Sequence, residues 1–190
     1  SGSKRWAQKG YVDGTFYDAY AYFLSAERKF NDNHSFNFTV FGAPMKSGRL
    51  GIAVQEAYDL TDNPYYNPNW GFQNGEVRNA RVNNYHKPMM VLTHFGTFGE
   101  DTRVTTSVSY SFGRGGNTAL NWYDAPDPRP DYYRYLPSYY EGEDQYQFNV
   151  LTNLWQNNEA YRQLNWDHFY FANKKNLYTS NYQGTDYTAN

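Results

Sequence analysis

The sequence predicts an all-β fold of antiparallel strands joined in pairs, and three observations lead to this prediction. Apolar and polar residues alternate over 35–40 and again over 103–112, which is the period of a strand with two different faces. A short segment joins each of these strands to a β-favouring segment before it. Long segments rich in Gly, Pro and Asn separate the two pairs. The 190-residue chain is therefore expected to run as hairpin, long loop, hairpin, long loop.

The first hairpin is predicted from strands at about 15–30 and 34–44. The earlier strand is rich in Tyr, Phe and Ala and contains neither Gly nor Pro. In the later strand Phe36, Phe38 and Val40 share one face, and polar residues occupy the other. The turn between them is Asn-Asp-Asn, whose residues tolerate the backbone angles that a hairpin needs.

The second hairpin is predicted from strands at about 87–97 and 102–113. The later strand places Val104, Val108 and Tyr110 on one face and Arg, Thr and Ser residues on the other. The earlier strand favours β-structure, although its alternation is poorer. Two segments, about 45–86 and 114–190, are left as long loops, and loops of this length usually carry function.

The second loop is expected to contain short helices. Apolar residues over 150–161 fit a helical face, and Asn165 can cap a helix that runs to Asn173. The segment 113–116 is Gly-Arg-Gly-Gly, which lacks the Lys-Ser/Thr of a phosphate-binding loop. We interpret it as a flexible exit from the preceding strand.

Composition excludes several other classes of protein. Aromatic residues make up 21% of the chain, which is the reverse of a disordered composition. No window approaches 18 consecutive apolar residues, so no transmembrane helix is predicted. A net charge of −2 gives no electrostatic footprint for nucleic acid, and without Cys there is no disulfide, thiolate nucleophile or zinc-thiolate site.

Short turns at one end of the strands and long loops at the other are typical of an outer-membrane β-barrel. Each predicted strand supplies the roughly 9 to 11 residues that a spanning strand needs. Aromatic residues lie near both strand ends, where the interfacial girdles of a barrel would lie. The alternative from the residues alone is a soluble β-sandwich with ordinary half-buried aromatics.

Several segments also resemble a known family. The sequences of 41–44, 83–88 and 111–116 are Phe-Gly-Ala-Pro, Asn-Asn-Tyr-His-Lys-Pro and Ser-Phe-Gly-Arg-Gly-Gly. They look like barrel strand ends of TonB-dependent outer-membrane transporters of the Bacteroidetes type. The later segment 164–173 is similar to an extracellular-loop segment of these proteins. The resemblance covers about residues 10–175.

The resemblance implies a fold, a location and partners. The fold would be a barrel of about 22 strands closed around a plug domain, placed in outer-membrane lipid and opened by the TonB, ExbB and ExbD system. A surface lipoprotein lid is a further partner that it implies. Because about 8 strands are the practical minimum for a barrel, residues 1–190 are expected to be part of the barrel domain, about four strands with long extracellular loops, without the plug.

The expected function is binding of a substrate at the extracellular loops and its import into the periplasm, with no catalytic residue and no cofactor in this segment. Peptides, oligosaccharides and chelated metals all remain open as substrates. Exposed Tyr and Trp suit ligand contact, and Arg can add carboxylate or phosphate recognition. The alternative for each aromatic residue is packing of the loops against one another. The candidate ligand contacts are Tyr65, Tyr66, Trp70, Trp122, Tyr123, Arg129, Tyr132, Tyr133 and Arg134.

Two other functions stay open from the residues alone. A soluble secreted carbohydrate-binding β-sandwich would use the same surface aromatics, and a glycoside hydrolase fragment would need a pair of carboxylates. We interpret the acidic loop residues as solvated charges, and we assign no metal or general-base role to the four widely separated His residues. The acidic residues in question are Asp124, Asp127, Asp131, Glu141, Glu143 and Asp144.

Overall fold

A computed structural model describes residues 1–122, 126–173, 178–182 and 185–189. The strands are β1 Gly2–Ala7, β2 Tyr17–Asn31, β3 His34–Gly42, β4 Met45–Gly48, β5 Trp70–Gln73, β6 Glu76–Asn79, β7 Val82–His86, β8 Met89–Phe98, β9 Thr102–Ser111, β10 Arg114–Asn117, β11 Tyr178–Tyr182 and β12 Thr185–Ala189. The α-helices are α1 Gln55–Thr61, α2 Gln145–Asn157 and α3 Trp166–Asn173, and 3₁₀ helices cover Tyr133–Tyr135, Pro137–Tyr140 and Glu159–Arg162.

The prediction of antiparallel, mostly β structure is confirmed. Within the described residues, one open sheet has the strand order β10, β7, β4, β2, β3, β8, β9, and β1 pairs with the other edge of β2. The strands β2, β3, β8 and β9 occupy the four segments expected to form hairpins. The Asn-Asp-Asn turn is closed by the Asn33 backbone N–H, which donates to Asn31 Oδ1 at 3.0 Å.

The sheet extends beyond the predicted hairpins. Strand β4 follows β3, β7 precedes β8 and β10 follows β9, and each prolongs the neighbouring long strand. Tyr22 of β2 pairs with Gly42 in β3, and Ala19 of β2 pairs with Met45 in β4. The step from Tyr22 to Ala19 is three residues, as is the step from Gly42 to Met45, so the register of β2 does not shift between β3 and β4. The same unshifted register joins the β8–β9 and β7–β10 ladders. Parts of the two predicted loops are therefore strands, and the supposed flexible exit at 113–116 is mostly strand β10. Strand β1 is a further addition that the sequence did not predict.

An unshifted register keeps side-chain alternation in phase along each long strand. A direct contact confirms the phase. Tyr22 lies across Gly42, where a Cβ would stand 2.5 Å from the Tyr22 hydroxyl, and that hydroxyl is 3.1 Å from His86 Nε2 on β7. Residues such as Leu24 in β2 and His86 in β7 therefore lie on the same face of the sheet.

That face is apolar along β2, β3, β8 and β9, and it is uncovered. Leu24 is 61% exposed and Val108 is 68% exposed. Cross-strand neighbours on this face include the row Ala26, Phe38, Leu92 and Val108. We call the even-numbered face of these four strands the apolar face.

The opposite face of the same strands is mostly polar, apart from Phe23, Phe41, Val91 and Phe95, and side-chain hydrogen bonds link its strands. Ser25 Oγ and Thr39 Oγ1 are 2.9 Å apart, and Thr93 Oγ1 and Ser107 Oγ are 3.0 Å apart. The two faces thus differ in chemistry although both are open.

The buried core of the described residues lies in the two loops and not on the sheet. Ala57, Tyr66, Leu136 and Trp155 pack together with Ala53, joining α1 of the first loop to α2 of the second. Trp155 is fully buried and its Nε1–H donates to the Tyr135 carbonyl at 3.0 Å. The expected helical segment over 150–161 is present as α2, followed by a 3₁₀ turn.

A second, smaller cluster is formed by Ala80, Leu164 and Trp166. The predicted cap of α3 is present, because Asn165 Oδ1 accepts from the His168 backbone N–H at 2.9 Å. Among the described residues, no helix is long and apolar enough to cross a membrane.

Candidate functional site

An open groove of about 1800 Å³ lies between the sheet extension and parts of both loops. One wall is formed by strands β4, β7 and β10, and the other by described residues of 77–80, 118–122, 126–130 and 161–170. Backbone pairing of β10 with β7 and of β7 with β4 sets the first wall. Within the described residues, we take this groove as the candidate site.

The sheet wall presents polar and cationic side chains from neighbouring strands. Lys46 pairs with Asn84, and His86 pairs with Arg114. Both Lys46 and Arg114 are exposed at the groove. Because the register is unshifted, all four residues lie on the same side of the sheet as the apolar face. The groove therefore opens on the side of the sheet that carries the uncovered apolar residues.

The loop wall holds an arginine in a fixed orientation. The Arg78 guanidinium lies 4.0 Å from the centre of the buried Trp166 ring, which is a cation–π contact. Arg78 Nη1 donates to Tyr170 Oη at 2.8 Å and to Gln73 Oε1 at 2.6 Å. The hydrogen bond from Arg78 holds the pKa of Tyr170 below its ordinary value.

The positive charge of the groove is not neutralised by the described part of the chain. None of the described lining residues is Asp or Glu, although the whole chain has 19 acidic and 17 basic residues. The ion pairs among the described residues involve Lys4, Lys29 and Arg129 as cations, and none involves Lys46, Arg78 or Arg114. Asp18, whose backbone pairs with that of Lys46, lies 3.9 Å from Lys4 Nζ.

Of the predicted ligand contacts, Trp122 lines the groove. It is half-buried, and the Arg129 guanidinium lies 6.0 Å from the centre of its ring. Tyr123 and Asp124 lie outside the described residues. Within the described residues, Trp122 is thus the one predicted ligand contact that lines the groove, and the other lining residues were not predicted as ligand contacts.

Arg129 has a structural partner and does not line the groove. Its Nε donates to the Asp127 carboxylate at 2.9 and 3.0 Å, and it lies 3.9 Å from Asp131 Oδ1. Burial raises the pKa of Asp131, and Arg129 opposes that rise. The sequence-based interpretation of Asp127 and Asp131 as solvated charges is therefore wrong.

Tyr66 and Trp70 are buried, which matches the loop-packing alternative and not ligand contact. Tyr66 is 6% exposed, and its hydroxyl donates to the Arg162 carbonyl at 2.9 Å. Trp70 is 8% exposed and packs edge to face against Phe72. Neighbouring Tyr65 is exposed, and its backbone N–H donates to Asn63 Oδ1 at 2.9 Å.

The remaining predicted contacts form a tyrosine cluster in which Tyr133 and Arg134 are exposed and Tyr132 is half-buried. The ring centres of Tyr132 and Tyr133 are 4.7 Å apart, and Tyr133 meets Tyr139 at 5.5 Å. Arg134 Nε donates to Tyr133 Oη at 3.0 Å, and this bond lowers the pKa of Tyr133. The structure brings Tyr132, Tyr133 and Arg134 together. None of the three lines the groove, although Tyr135, whose ring centre lies 5.3 Å from that of Tyr132, does.

Other titratable residues form no metal cluster among the described residues. His34 Nδ1 and His94 Nε2 are 3.0 Å apart, with stacked rings near the first turn. Asp144 caps α2 by accepting from the Gln147 backbone N–H at 3.0 Å. Glu141 and Glu143 are exposed, as solvated charges would be.

Sequence reasoning missed the cationic residues of the groove, Lys46, Arg78 and Arg114. Arg114 was placed in a flexible exit, although the register of the β8–β9 hairpin, carried past Phe112, would have paired it with His86. Arg78 and Tyr170 are 92 positions apart in sequence, so no local pattern indicates their contact.

The chain matches no protein-family model, no curated protein and no solved structure. The chemistry of the groove and of the two sheet faces is therefore what supports a function.

Proposed function

We propose that this chain is a segment of an outer-membrane transporter of the TonB-dependent type, which binds a substrate at its external loops and passes it to the periplasm. The observation that carries the proposal is the uncovered apolar face of β2, β3, β8 and β9. A sheet face of exposed Leu, Val and Phe is unfavourable in water, whereas a bilayer would cover it.

The dimensions of the apolar face support a bilayer as its cover. Strands β8 and β9 have 10 residues each, and a tilted spanning strand needs about 9 to 11. Phe30, Phe36 and Phe98 lie at the tight-turn end, whereas Tyr110 and Phe112 lie at the other end. The row between these ends is Ala26, Phe38, Leu92 and Val108. Aromatic residues concentrated at both ends of such an apolar band fit the girdles of a membrane barrel.

The sheet extension supports the same orientation. Strands β4, β7 and β10 carry Lys, Asn, His and Arg on the side of the sheet that is apolar along β2, β3, β8 and β9. Such residues suit water or lipid headgroups and not hydrocarbon. The loops attached to this end would then lie outside the cell, and the two tight turns would face the periplasm.

The proposal assigns no catalytic residue to this segment. Import would depend on a plug domain and on the TonB system, and ligand contact would fall to the loops. Within the described residues, the tyrosine cluster of Tyr132, Tyr133, Tyr139 and Arg134 is a loop surface available for it.

The alternative is a soluble carbohydrate-binding module, which the aromatic and amide lining of the groove favours. A soluble module must cover its apolar face with protein. The two proposals therefore differ in where the protein is found and in whether detergent is needed to extract it.

Cell fractionation combined with surface proteolysis tests the proposal. We expect the protein in the outer-membrane fraction, soluble only in detergent, with cleavage of intact cells near Tyr65 or within 126–130 and none at 31–33. Recovery in the soluble fraction without detergent would support the module. Cleavage at 31–33 from outside, with the loops uncut, would reverse the proposed orientation.

A further inference from the structure

We propose that the groove binds the phosphate-bearing sugar headgroup of a glycolipid in the outer leaflet. This inference rests on the proposed function, because it needs the apolar face to lie in the bilayer. Three features of the groove lead to it: its charge, its lining and the face on which it opens.

The charge indicates an anionic ligand. Lys46, Arg78 and Arg114 line the groove, and none has a carboxylate within 4.0 Å among the described residues. Three cations without a carboxylate partner around one space repel one another, and an anion bound between them would relieve that repulsion. Arg in particular presents a planar set of donors that matches phosphate oxygens.

The lining indicates that the ligand is also a sugar. Asn84 and Asn117 offer amide groups, which both donate and accept and so suit hydroxyl groups. Trp122 and Phe169 add flat apolar surfaces at the same groove. A bare phosphate would not need this lining, and a neutral sugar would not need three cations.

The side of the sheet on which the groove opens indicates that the sugar is attached to a lipid. A substrate on its way through a barrel would meet the polar face, which holds Ser25, Thr39, Thr93 and Ser107. The groove instead opens on the same side as the apolar face. His86 at the groove is in hydrogen-bond contact with Tyr22 at the edge of the apolar face. A headgroup in the groove would thus have its acyl chains beside the apolar face.

The test is a titration of the intact protein in a neutral detergent, read by native mass spectrometry. The probe is lipid A, a phosphorylated diglucosamine carrying acyl chains. Its dephosphorylated form, its deacylated headgroup and phosphatidylglycerol separate the contributions of phosphate, acyl chain and sugar. We expect lipid A to bind most tightly and each of the other three at least about tenfold more weakly, since each lacks one class of contact.

A matched pair of double variants locates the site. Replacing Lys46 and Arg114, as K46Q/R114Q, should weaken lipid A binding by at least about tenfold. The control R5Q/R103Q removes the same charge from exposed residues on the opposite face and should bind like the unaltered protein. Equal binding by both double variants would overturn the site. Phosphatidylglycerol binding as tightly as lipid A would overturn the sugar assignment.

Two further outcomes separate this inference from the proposed function. A soluble anionic oligosaccharide such as oligogalacturonate, if bound more tightly than lipid A and lost in K46Q/R114Q, would overturn the lipid assignment while leaving an outer-membrane location intact. Recovery of the protein in the soluble fraction would instead overturn the proposed function, and with it the lipid assignment, whatever the groove binds.

Discussion

Single residues in the loops are constrained by close backbone approaches. A Cβ at Gly71 would stand 2.1 Å from the Leu164 carbonyl oxygen, and the Leu164 N–H donates to the Trp70 carbonyl at 2.8 Å. The first loop therefore contacts the second through backbone at this point. Gly116 in β10, by contrast, has open space where a Cβ would lie.

We predict that Gly71→Ala destabilises the protein by about 1 to 3 kcal/mol, because the backbone must move apart to admit the methyl group. Gly116→Ala should change stability by less than about 0.5 kcal/mol. Thermal unfolding of both variants in detergent measures the difference. A Gly71→Ala variant as stable as the unaltered protein would contradict the contact between the loops.

Tyr66 gives a second prediction at this scale. Burial raises the pKa of its hydroxyl above the ordinary 10.0, and the charge of Asp131 adds to the rise. The folded state thus favours the neutral Tyr66 hydroxyl. The stability that depends on this neutral form is fully present below pH 10 and declines as the pH rises further. Tyr66→Phe should lose about 1 kcal/mol at neutral pH with its bond to Arg162, but its stability should fall less steeply in alkali.

The matched control for Tyr66 is Tyr146→Phe, since Tyr146 is 74% exposed. The measurement is the midpoint of thermal unfolding between neutral pH and pH values above 10. A Tyr66→Phe variant that loses stability in alkali as steeply as the Tyr146→Phe control would show that Tyr66 does not carry the effect.

At the scale of elements, a buried amide ties the first loop to the segment before β2. Asn67 is fully buried, and its Oδ1 accepts from the Gly51 N–H at 2.9 Å and the Asn69 N–H at 3.2 Å. Its Nδ2 donates to the Asp13 carbonyl at 2.8 Å. One side chain thus joins three backbone segments that have no regular pairing with one another.

We predict that Asn67→Ala lowers the free energy of unfolding by at least about 2 kcal/mol, because several buried backbone groups lose their partner. Asn149→Ala is the control, since Asn149 is an exposed residue of α2 that accepts from Gln145. Denaturant unfolding of both variants checks the prediction. Similar effects of the two changes would contradict a structural role for Asn67.

The same scale shows what the sequence could predict. The strands β3 and β9 alternate clearly, so their faces follow from the local pattern. Strands β4 and β10 read Met-Lys-Ser-Gly and Arg-Gly-Gly-Asn and have no such pattern. They form because neighbouring long strands continue in register. The groove was missed for this reason, since its sheet wall consists of these extensions. Trp122 lines the groove, but the same reasoning from loop aromatics also selected Tyr66 and Trp70, which are buried.

At the scale of the whole molecule, the two faces of the sheet should differ in their tolerance of charge. Leu92 lies on the apolar face, opposite Phe38 and Val108, and Thr93 lies on the polar face. We predict that Leu92→Arg costs about 2 to 4 kcal/mol when the protein inserts into a bilayer, as for an arginine near the membrane midplane. Thr93→Arg should cost less.

Folding into lipid vesicles, followed by the fraction that becomes inserted, measures this difference. Thr93→Arg is matched to Leu92→Arg in strand, depth and introduced charge. A greater loss for Thr93→Arg would place the polar face against lipid and contradict the proposed orientation.

The most direct test of the membrane-facing sheet is a scan of β8 with single spin labels. The chain has no Cys, so each introduced Cys carries one label. The proposal predicts that labels at Met90, Leu92 and His94 are accessible to oxygen dissolved in the bilayer. Labels at Val91, Thr93 and Phe95 should be accessible to a water-soluble nickel chelate instead. Accessibility without this two-residue alternation, or with the two reagents exchanged, would contradict a lipid-facing apolar face.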